Sequence, residues 1–427
     1  MLQLWLVANS VLWSLSVNLG GMKLGLHIVV LILAGIVWLG KNWRIGLASA
    51  DFLLFFFAYV LFSLLVAISG SCNDHFQKSL ATIPVLWLLF LIGLEVGRKA
   101  NALAWLKLQR TALWCLGIGF STMFVELLHP AWFPLQADYR SEGKLSGMFS
   151  EPSGVASSLF PCVVILLVAE GKKTRRKGML ALLALVLLSR SSTLIALIVA
   201  FFLYRLVVQG RLRQTAAFVL GFVLLIGLGA AVNFSRFVLP TIERVAGVAA
   251  GSETENISSL VYVQGWQDAL FNLRRTHGLG LGINMMGCGE LPDVSARRAL
   301  TLVGLRELNA EDGSFLFAKV VSEVGLAGIA FYIFVLGWWV RLERKLRYLK
   351  DDPFRFAVSA QSALIFCFVA LSFTRGSGYF NGWFLLAVAA FSGATNWKRG
   401  LSNQSSRLRA FPLTVSPIGD QVENSGE

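Results

Sequence analysis

Long apolar runs that alternate with short polar connections dominate this sequence. A helix crosses the bilayer core with about 20 apolar residues, and runs of this kind predict about 12 spanning helices. Their centres lie near residues 10, 32, 60, 88, 119, 162, 184, 199, 223, 327, 364 and 387. We therefore expect an all-α, polytopic integral membrane protein. The seventh and eighth spans are short and meet at Ser189 to Ser192.

One long polar segment interrupts this pattern between the ninth and tenth spans. Residues 233–313 hold no apolar run long enough to cross a bilayer, so we expect this segment to fold outside the membrane. Residues 1–232 are predicted to hold spans one to nine, with an outer loop over 129–153. The outer segment follows at 233–313, and spans ten to twelve occupy 314–397. Residues 398–427 are expected to be a disordered cytoplasmic tail.

Composition agrees with a membrane protein. The 427 residues are 56% hydrophobic and 15% charged, whereas about a quarter of the residues of soluble domains are charged. No basic region or cleavage signal marks the start, so Leu2 to Val17 is expected to be a retained first span, with both termini cytoplasmic. This topology places most Lys and Arg residues inside. The net charge of +14 then reflects topology and anionic membrane lipids, and it does not indicate nucleic acid.

Cysteine positions add one structural expectation. Cys72 and Cys288 both fall on the outer side, where they can pair in an oxidising compartment. The other three cysteines, Cys115, Cys162 and Cys367, lie inside predicted spans and are expected to be small buried apolar residues.

The outer loop 129–153 ends on a carboxylate beside a proline. Glu151 precedes Pro152, where the sixth span begins. A carboxylate at this place either caps the helix and interacts with its dipole or belongs to a functional site. The sequence leaves both interpretations open.

Two arginines are expected near the outer interface. Arg190 lies in the two-span connection, flanked by hydroxyl side chains, and Arg375 follows the eleventh span. Arg190 can snorkel to the headgroups, but its planar fork also suits a phosphate group. We favour the functional interpretation because ionisable groups at membrane depth are usually functional.

The outer segment predicts an amphipathic helix that begins after a cap at Ser258 or Ser259. Gln264, Asp268, Asn272 and Arg275 form a polar stripe that faces either water or a sugar, and water is the commoner case. The glycines after His277 have the wrong spacing for a dinucleotide site and indicate close backbone approach only. Further on, Lys319 and Glu323 are expected to neutralise each other inside the tenth span.

Several short motifs occur in a characteristic order. They are SGMFSEPS at 146–153, LSRS at 188–191, THGLG at 276–280, DGS at 312–314, SEVG at 322–325 and TRGSGYF at 374–380. Together with the large outer segment, this order resembles the O-antigen (oligosaccharide repeat-unit) polymerases of bacterial polysaccharide export. The resemblance covers the fifth to the twelfth span.

The resemblance implies glycosyl transfer at the periplasmic face of the inner membrane. A growing glycan would leave its undecaprenyl diphosphate carrier and join another lipid-linked repeat unit, with a flippase and a chain-length regulator as partners. Arg190 and Arg375 would stabilise the leaving diphosphate. Glu151, Asp312 or His277 would act as the base. No metal or other cofactor is expected.

Substrate binding would fall to five further residues: Arg140, Gln264, Arg274, Arg275 and Tyr379. An arginine that the family usually carries early in the outer helix has no counterpart at Gln264, and Arg274 and Arg275 are the alternatives. The related O-antigen ligases typically carry a His-Asn dipeptide where this chain has Asp312-Gly313-Ser314, which disfavours a ligase. A transporter of lipid-linked sugars is a further alternative, disfavoured because no internal repeat is evident.

Overall fold

The computed structural model describes most of the chain. The described residues are 1–12, 16–19, 22–41, 61, 73–132, 144–149, 151–169, 171–207, 239–251, 256–288, 290–349, 353–374, 379 and 383–393. The predicted spans near residues 60 and 223, the tail 398–427, Cys72, Arg140 and Arg375 lie outside the described residues.

The described part is almost entirely helical, as predicted. Its helices are α1 Leu2–Val11, α2 Leu26–Lys41, α3 Asn73–Lys99, α4 Ala102–Leu128, α5 Pro152–Leu167, α6 Lys172–Ser189, α7 Ser192–Val207, α8 Leu239–Ala250, α9 Ile257–Arg275, α10 Ser295–Leu302, α11 Leu316–Val324, α12 Leu326–Tyr348, α13 Pro353–Thr374 and α14 Trp383–Gly393. A short 3-10 turn covers Pro130–Trp132. Three described helices are long and apolar enough to cross a membrane, over Ala102–Leu128, Leu326–Tyr348 and Arg355–Thr374.

The first predicted span differs from the structure. Helix α1 ends at Val11, and strands β1 Ser16–Leu19 and β2 Met22–Gly25 form an antiparallel hairpin. The all-α prediction therefore has one exception. The two glycines at 20 and 21 separate the strands in the sequence, and a Gly-Gly pair between two short strands is a hairpin signal.

Helix α5 is the centre of the bundle. Every residue of α5 except Ser153 is buried, and it packs against α1, α4, α6, α7 and α13. A helix that is apolar on all sides is expected to be surrounded by other helices. Glycines on two neighbouring helices allow close approach to α5, since a Cβ on Gly119 of α4 would lie 2.5 Å from Leu159 and one on Gly178 of α6 would lie 2.9 Å from Leu166. Glu151, directly before α5, is therefore held at the end of the most enclosed helix.

The tenth predicted span is divided in two. Helix α11 ends at Val324, and α12 begins at Leu326. Gly325 between them has φ +66°, and a Cβ there would lie 2.1 Å from the carbonyl oxygen of Gly278. Only glycine suits this backbone and this close approach. Lys319 and Glu323 consequently belong to a separate short helix that precedes the apolar span.

The outer segment is anchored to the first turns of α3. The Ser79 hydroxyl donates to the carbonyl oxygen of Ile283, and the Asn284 side chain donates to Thr82 at 2.6 Å. The Lys78 ammonium lies 2.9 Å from the Glu311 carboxylate. These contacts place residues 283–311 against an element more than 200 positions earlier in the chain.

Cys288 is disulfide-bonded, close to this contact, whereas Cys115, Cys162 and Cys367 carry free, buried thiols. Cys72, the remaining cysteine, lies outside the described residues, so its pairing with Cys288 stays a prediction.

Denatured wild-type protein should add three maleimide-polyethylene glycol groups without reductant and five with it. Under the same non-reducing conditions, Cys72→Ser and Cys288→Ser should each add four. Five additions to the wild type without reductant would contradict the bond, and two additions to Cys72→Ser would exclude Cys72 as the partner.

Candidate functional site

Glu151 does not cap the helix that follows it. It occupies the N-cap position of α5 in an extended conformation, with φ −151° and ψ 152°, but its side chain makes no capping hydrogen bond. Its carboxylate instead accepts a hydrogen bond from the Ser153 hydroxyl at 2.9 Å. The structure therefore argues against side-chain capping, one of the two interpretations that the sequence left open.

A second carboxylate, not identified from the sequence, supports the loop before Glu151. Glu126 in the last turns of α4 is buried and accepts the backbone N–H groups of Ser146 at 2.8 Å and Gly147 at 2.7 Å. Gly147 has φ +59°, and a Cβ there would lie 2.4 Å from the Thr122 hydroxyl. The sequence signal that could have identified Glu126 is a lone acidic residue within an apolar helix. Glu126 therefore ties the end of the loop, at Ser146 and Gly147, back to the last turns of α4.

Arg190 occupies a tight left-handed turn. Only Arg190 and Ser191 separate α6 from α7, as the sequence predicted, and Arg190 has φ 47° and ψ 35°. Left-handed backbone is uncommon for a residue other than glycine. The Leu145 N–H donates to the Leu188 carbonyl oxygen at 3.0 Å. This bond ties the loop that leads to Glu151 to the end of α6, so Glu151 and Arg190 share one end of the bundle.

The packing of α7 on α13 places the Arg190 turn near Thr374. The helices are antiparallel, because Phe201 contacts Phe366 while Tyr204 contacts Ser362. Ser192 at the start of α7 and Thr374 at the end of α13 are each twelve residues from the Tyr204–Ser362 contact. Since both helices rise by the same length per residue, these two ends lie at about the same level.

The end of α13 also contacts the outer segment. The Tyr262 hydroxyl of α9 donates to the Phe373 carbonyl oxygen at 3.1 Å. The Phe317 ring of α11 stacks on Phe373 with centroids 4.3 Å apart. The outer segment is thus docked at the end of the bundle where the Arg190 turn lies.

The polar stripe of α9 faces the interior of the outer segment. Gln264, Asp268 and Asn272 are buried, in contrast to the expectation that they face water or a sugar. The Gln264 side chain donates to the Leu308 carbonyl oxygen at 3.1 Å, so we place it in a core position and withdraw it as a substrate ligand. The helix begins after Asn256, whose side chain accepts from the Ser259 N–H. The cap is therefore Asn256, and the expected caps Ser258 and Ser259 lie inside the helix.

A buried ion pair explains this interior polarity. Arg297 of α10 is 2.5 Å from the Asp268 carboxylate and also donates to the Arg306 carbonyl oxygen at 2.6 Å. Burial raises the pKa of Asp268, and the Arg297 guanidinium opposes that shift. The pair joins α9 to α10 and to the loop that runs toward Asp312.

The C-terminal end of α9 carries two exposed arginines, Arg274 and Arg275, and the exposed His277 follows directly after the helix. The two arginines and Arg298 line a groove of about 660 Å³ between α9 and the start of α10. His277 begins the turn that continues into the glycine-rich stretch. There, a Cβ on Gly280 would lie 2.5 Å from the Glu323 carbonyl oxygen. The glycines allow close approach to a packed helix.

Lys319 and Glu323 of α11 are buried and form a polar cluster with the partly buried Tyr379. Glu323 is fully buried and accepts the backbone N–H groups of Asn284 at 2.7 Å and Met286 at 3.1 Å. It also accepts a hydrogen bond from the Tyr379 hydroxyl. The Lys319 ammonium lies 4.0 Å from the Glu323 carboxylate and 5.6 Å from the Tyr379 ring centroid. Burial raises the pKa of Glu323, while Lys319 and these hydrogen bonds oppose the rise.

Asp312 borders this cluster and reaches solvent. Its side chain is 53% exposed, and its carboxylate is 3.9 Å from the Lys319 ammonium. Desolvation raises the pKa of Asp312, with a further upward contribution from Glu311, while Lys319 and Lys78 lower it. Of the three base candidates, Asp312 has the accessible carboxyl group with an upward-shifted pKa, a condition that suits a general base.

The predicted site residues thus fall into three groups. Asp312 and Tyr379 meet at Lys319 and Glu323. Glu151 and Arg190 share the end of the bundle beside the α13 terminus. Arg274, Arg275 and His277 lie at and just beyond the C-terminal end of α9, where Arg275 lines a pocket with Met286 and Ala310, while Arg140 and Arg375 lie outside the described residues.

Comparison with protein-family models, with curated proteins and with solved structures found no match to this chain. The resemblance to O-antigen polymerases therefore rests on the short motifs and their order.

Proposed function

We propose that this chain is a surface-polysaccharide polymerase of the bacterial inner membrane, with about 12 spans, cytoplasmic termini and a periplasmic site. The observation that carries the proposal is a half-exposed carboxylate, Asp312, beside a buried Lys319–Glu323 pair. The segment that carries this cluster is docked at the end of α13, level with the Arg190 turn. A base and a cation that suits phosphate are then presented from one end of a helical bundle.

The reaction joins two lipid-linked oligosaccharides. An acceptor hydroxyl attacks the anomeric carbon of the donor glycan, and the bond to the diphosphate breaks with its electron pair. Negative charge develops on the departing diphosphate, so fixed cations at that place lower the barrier. We assign this role to Arg190 and, by resemblance, to Arg375.

The proton of the acceptor hydroxyl passes to Asp312. A base must be accessible to the substrate, and the Asp312 carboxylate is both accessible and held near a fixed cation. Glu151 lies at the same end of the bundle as the Arg190 turn, and we assign it to binding of the donor. His277 is exposed in the turn after α9, and it stays the alternative base.

The test of the function is a gene deletion with plasmid complementation. Whole-cell lipopolysaccharide from the deletion strain should show core bearing a single repeat unit and no ladder on a gel. Loss of surface attachment with accumulation of lipid-linked polymer would favour the ligase alternative. An unchanged ladder would refute the assignment to O-antigen and direct the test to capsule and exopolysaccharide.

Replacement of Arg190 with alanine should reduce chain extension at least about tenfold, or about 1.4 kcal/mol of barrier. Arg190→Lys should restore only part of the rate, because a point charge does not reproduce the planar fork. Arg205→Ala, near the opposite end of α7, is the matched control and should extend chains normally. The ladder length and the amount of protein in the membrane are measured together. Full extension by Arg190→Ala at normal protein levels would remove this residue from the site.

A further inference from the structure

Lys319 is a buried cation that holds the turn before Asp312. Lys319 is only 5% exposed, and its ammonium donates to the Glu311 carbonyl oxygen at 2.8 Å. The same nitrogen is 3.9 Å from the Asp312 carboxylate. A buried ammonium needs such bonds, since desolvation of an unpaired charge is costly.

Glu323 fixes the position of this ammonium. It is four residues from Lys319 on α11, so both side chains lie on one helix face. Its carboxylate is held by the Asn284 and Met286 N–H groups and by the Tyr379 hydroxyl. The anion is therefore constrained by three separate hydrogen bonds, and the ammonium lies between it and Asp312.

We infer that Lys319 is the positioning residue of the proposed base, holding the Asp312 carboxylate ionised and aimed at the acceptor. This inference rests on the proposed function. Lys319 does not touch substrate in this arrangement, because Glu311, Asp312 and Glu323 surround its nitrogen. It acts through Asp312.

The charged groups around Asp312 differ in how strongly they are expected to affect its carboxylate. Lys319 is the nearest described cation. Lys78 of α3 lies beyond Glu311, which it pairs at 2.9 Å, and 49% of its side chain is exposed. His75 of α3 also faces Glu311, while Glu323 and Tyr379 lie on the far side of the Lys319 ammonium. Removal of Lys319 should therefore affect Asp312 far more than removal of Lys78, whose charge is largely screened by water.

The direction in which the pH profile should shift follows from the positive charge of Lys319. Lys319 lowers the pKa of Asp312, so a variant without this cation has a higher Asp312 pKa. A general base works in its ionised form, so the acid limb of the rate profile should move to higher pH. Above both pKa values the carboxylate is ionised in either protein, and the rates should converge.

The experiment measures the pH dependence of chain extension by full-length protein in liposomes with lipid-linked repeat units. At about pH 5.5, Lys319→Met should be at least about tenfold slower than wild type, and at about pH 8.5 the two should agree within about threefold. Lys78→Met is the matched control and should follow the wild-type profile. Lys319→Arg keeps the charge and should keep the acid limb in place.

Variants separate this inference from folding and from the proposed function. If Lys319→Met is unstable, Lys319→Gln is used, since it can still donate to the Glu311 carbonyl and lacks the charge. An unmoved acid limb in both neutral variants overturns the inference. If Asp312→Asn retains the wild-type rate, the proposed base is wrong and the inference fails with it. If Asp312→Asn is impaired and the Lys319 variants are not, Asp312 remains the proposed base and the positioning role of Lys319 is refuted.

Discussion

Replacement of Asp312 with asparagine should lower the rate of chain extension at least about 100-fold. A positioned general base contributes about 100-fold to 10,000-fold to a reaction of this kind, and the amide of asparagine cannot accept the proton. The change conserves size, and the Asp312 side chain is half-exposed, 3.9 Å from the nearest cation. We therefore expect little effect on folding. The rate is measured in liposomes with equal amounts of protein.

Glu311→Gln is the matched control for this prediction. Glu311 is the neighbouring carboxylate, and 59% of its side chain is exposed in a pair with Lys78. Exposed ion pairs contribute about 1 kcal/mol or less, so this variant should extend chains within about threefold of the wild-type rate. Equal loss in both variants would indicate a general effect on the turn. A fully active Asp312→Asn protein would transfer the role of base to Glu151 or His277.

Replacement of Arg297 with alanine should open the outer segment. The change leaves the Asp268 carboxylate buried without its cation and frees the Arg306 carbonyl oxygen. Breaking a buried pair by removing one partner costs about 3–5 kcal/mol. Trypsin cleavage within residues 256–313 should then become at least about 100-fold faster, because cleavage follows the population of the opened form.

The adjacent arginine provides the control. Arg298 is 68% exposed and contacts Asp293 across 3.4 Å, so Arg298→Ala should change the cleavage rate by less than about threefold. Each variant removes one trypsin site from the same helix. Joint replacement with apolar residues, Asp268→Leu and Arg297→Met, should restore much of the protection, since an apolar pair of similar volume replaces a buried pair at little cost. Equal cleavage of Arg297→Ala and wild type would mean that this pair does not hold the segment.

Local sequence signals predicted several helix boundaries and polar turns correctly. Pro152 begins α5, and the hydroxyl-rich stretch at Ser189 to Ser192 separates α6 from α7. Glycines at 278 and 280 allow close approach of the backbone to a neighbouring helix. These features depend on the intrinsic conformational preferences of individual residues and on local periodicity, which the sequence displays directly.

Other features depended on partners that are distant in the chain. The stripe of Gln264 and Asp268 has the period of a solvated helix face, but Arg297, 29 residues later, covers it in the fold. Glu126 is a lone acid in the sequence of an apolar helix, and only the fold brings the N–H groups of Ser146 and Gly147 to its carboxylate. Periodicity shows which residues share a face, and it does not show what packs on that face.

The sequence by itself determined the helical class with apolar runs suited to a membrane and the polar segment between them, and it supplied the candidate residues for the proposed reaction. Tertiary structure decided which of these polar residues are buried. It separated Lys319 and Glu323 from the apolar span at Gly325 and placed Asp312 beside their ion pair. The reason is physical: hydropathy and backbone preference act within a few residues, whereas the pairing of buried charges requires contacts that exist only after the chain has folded.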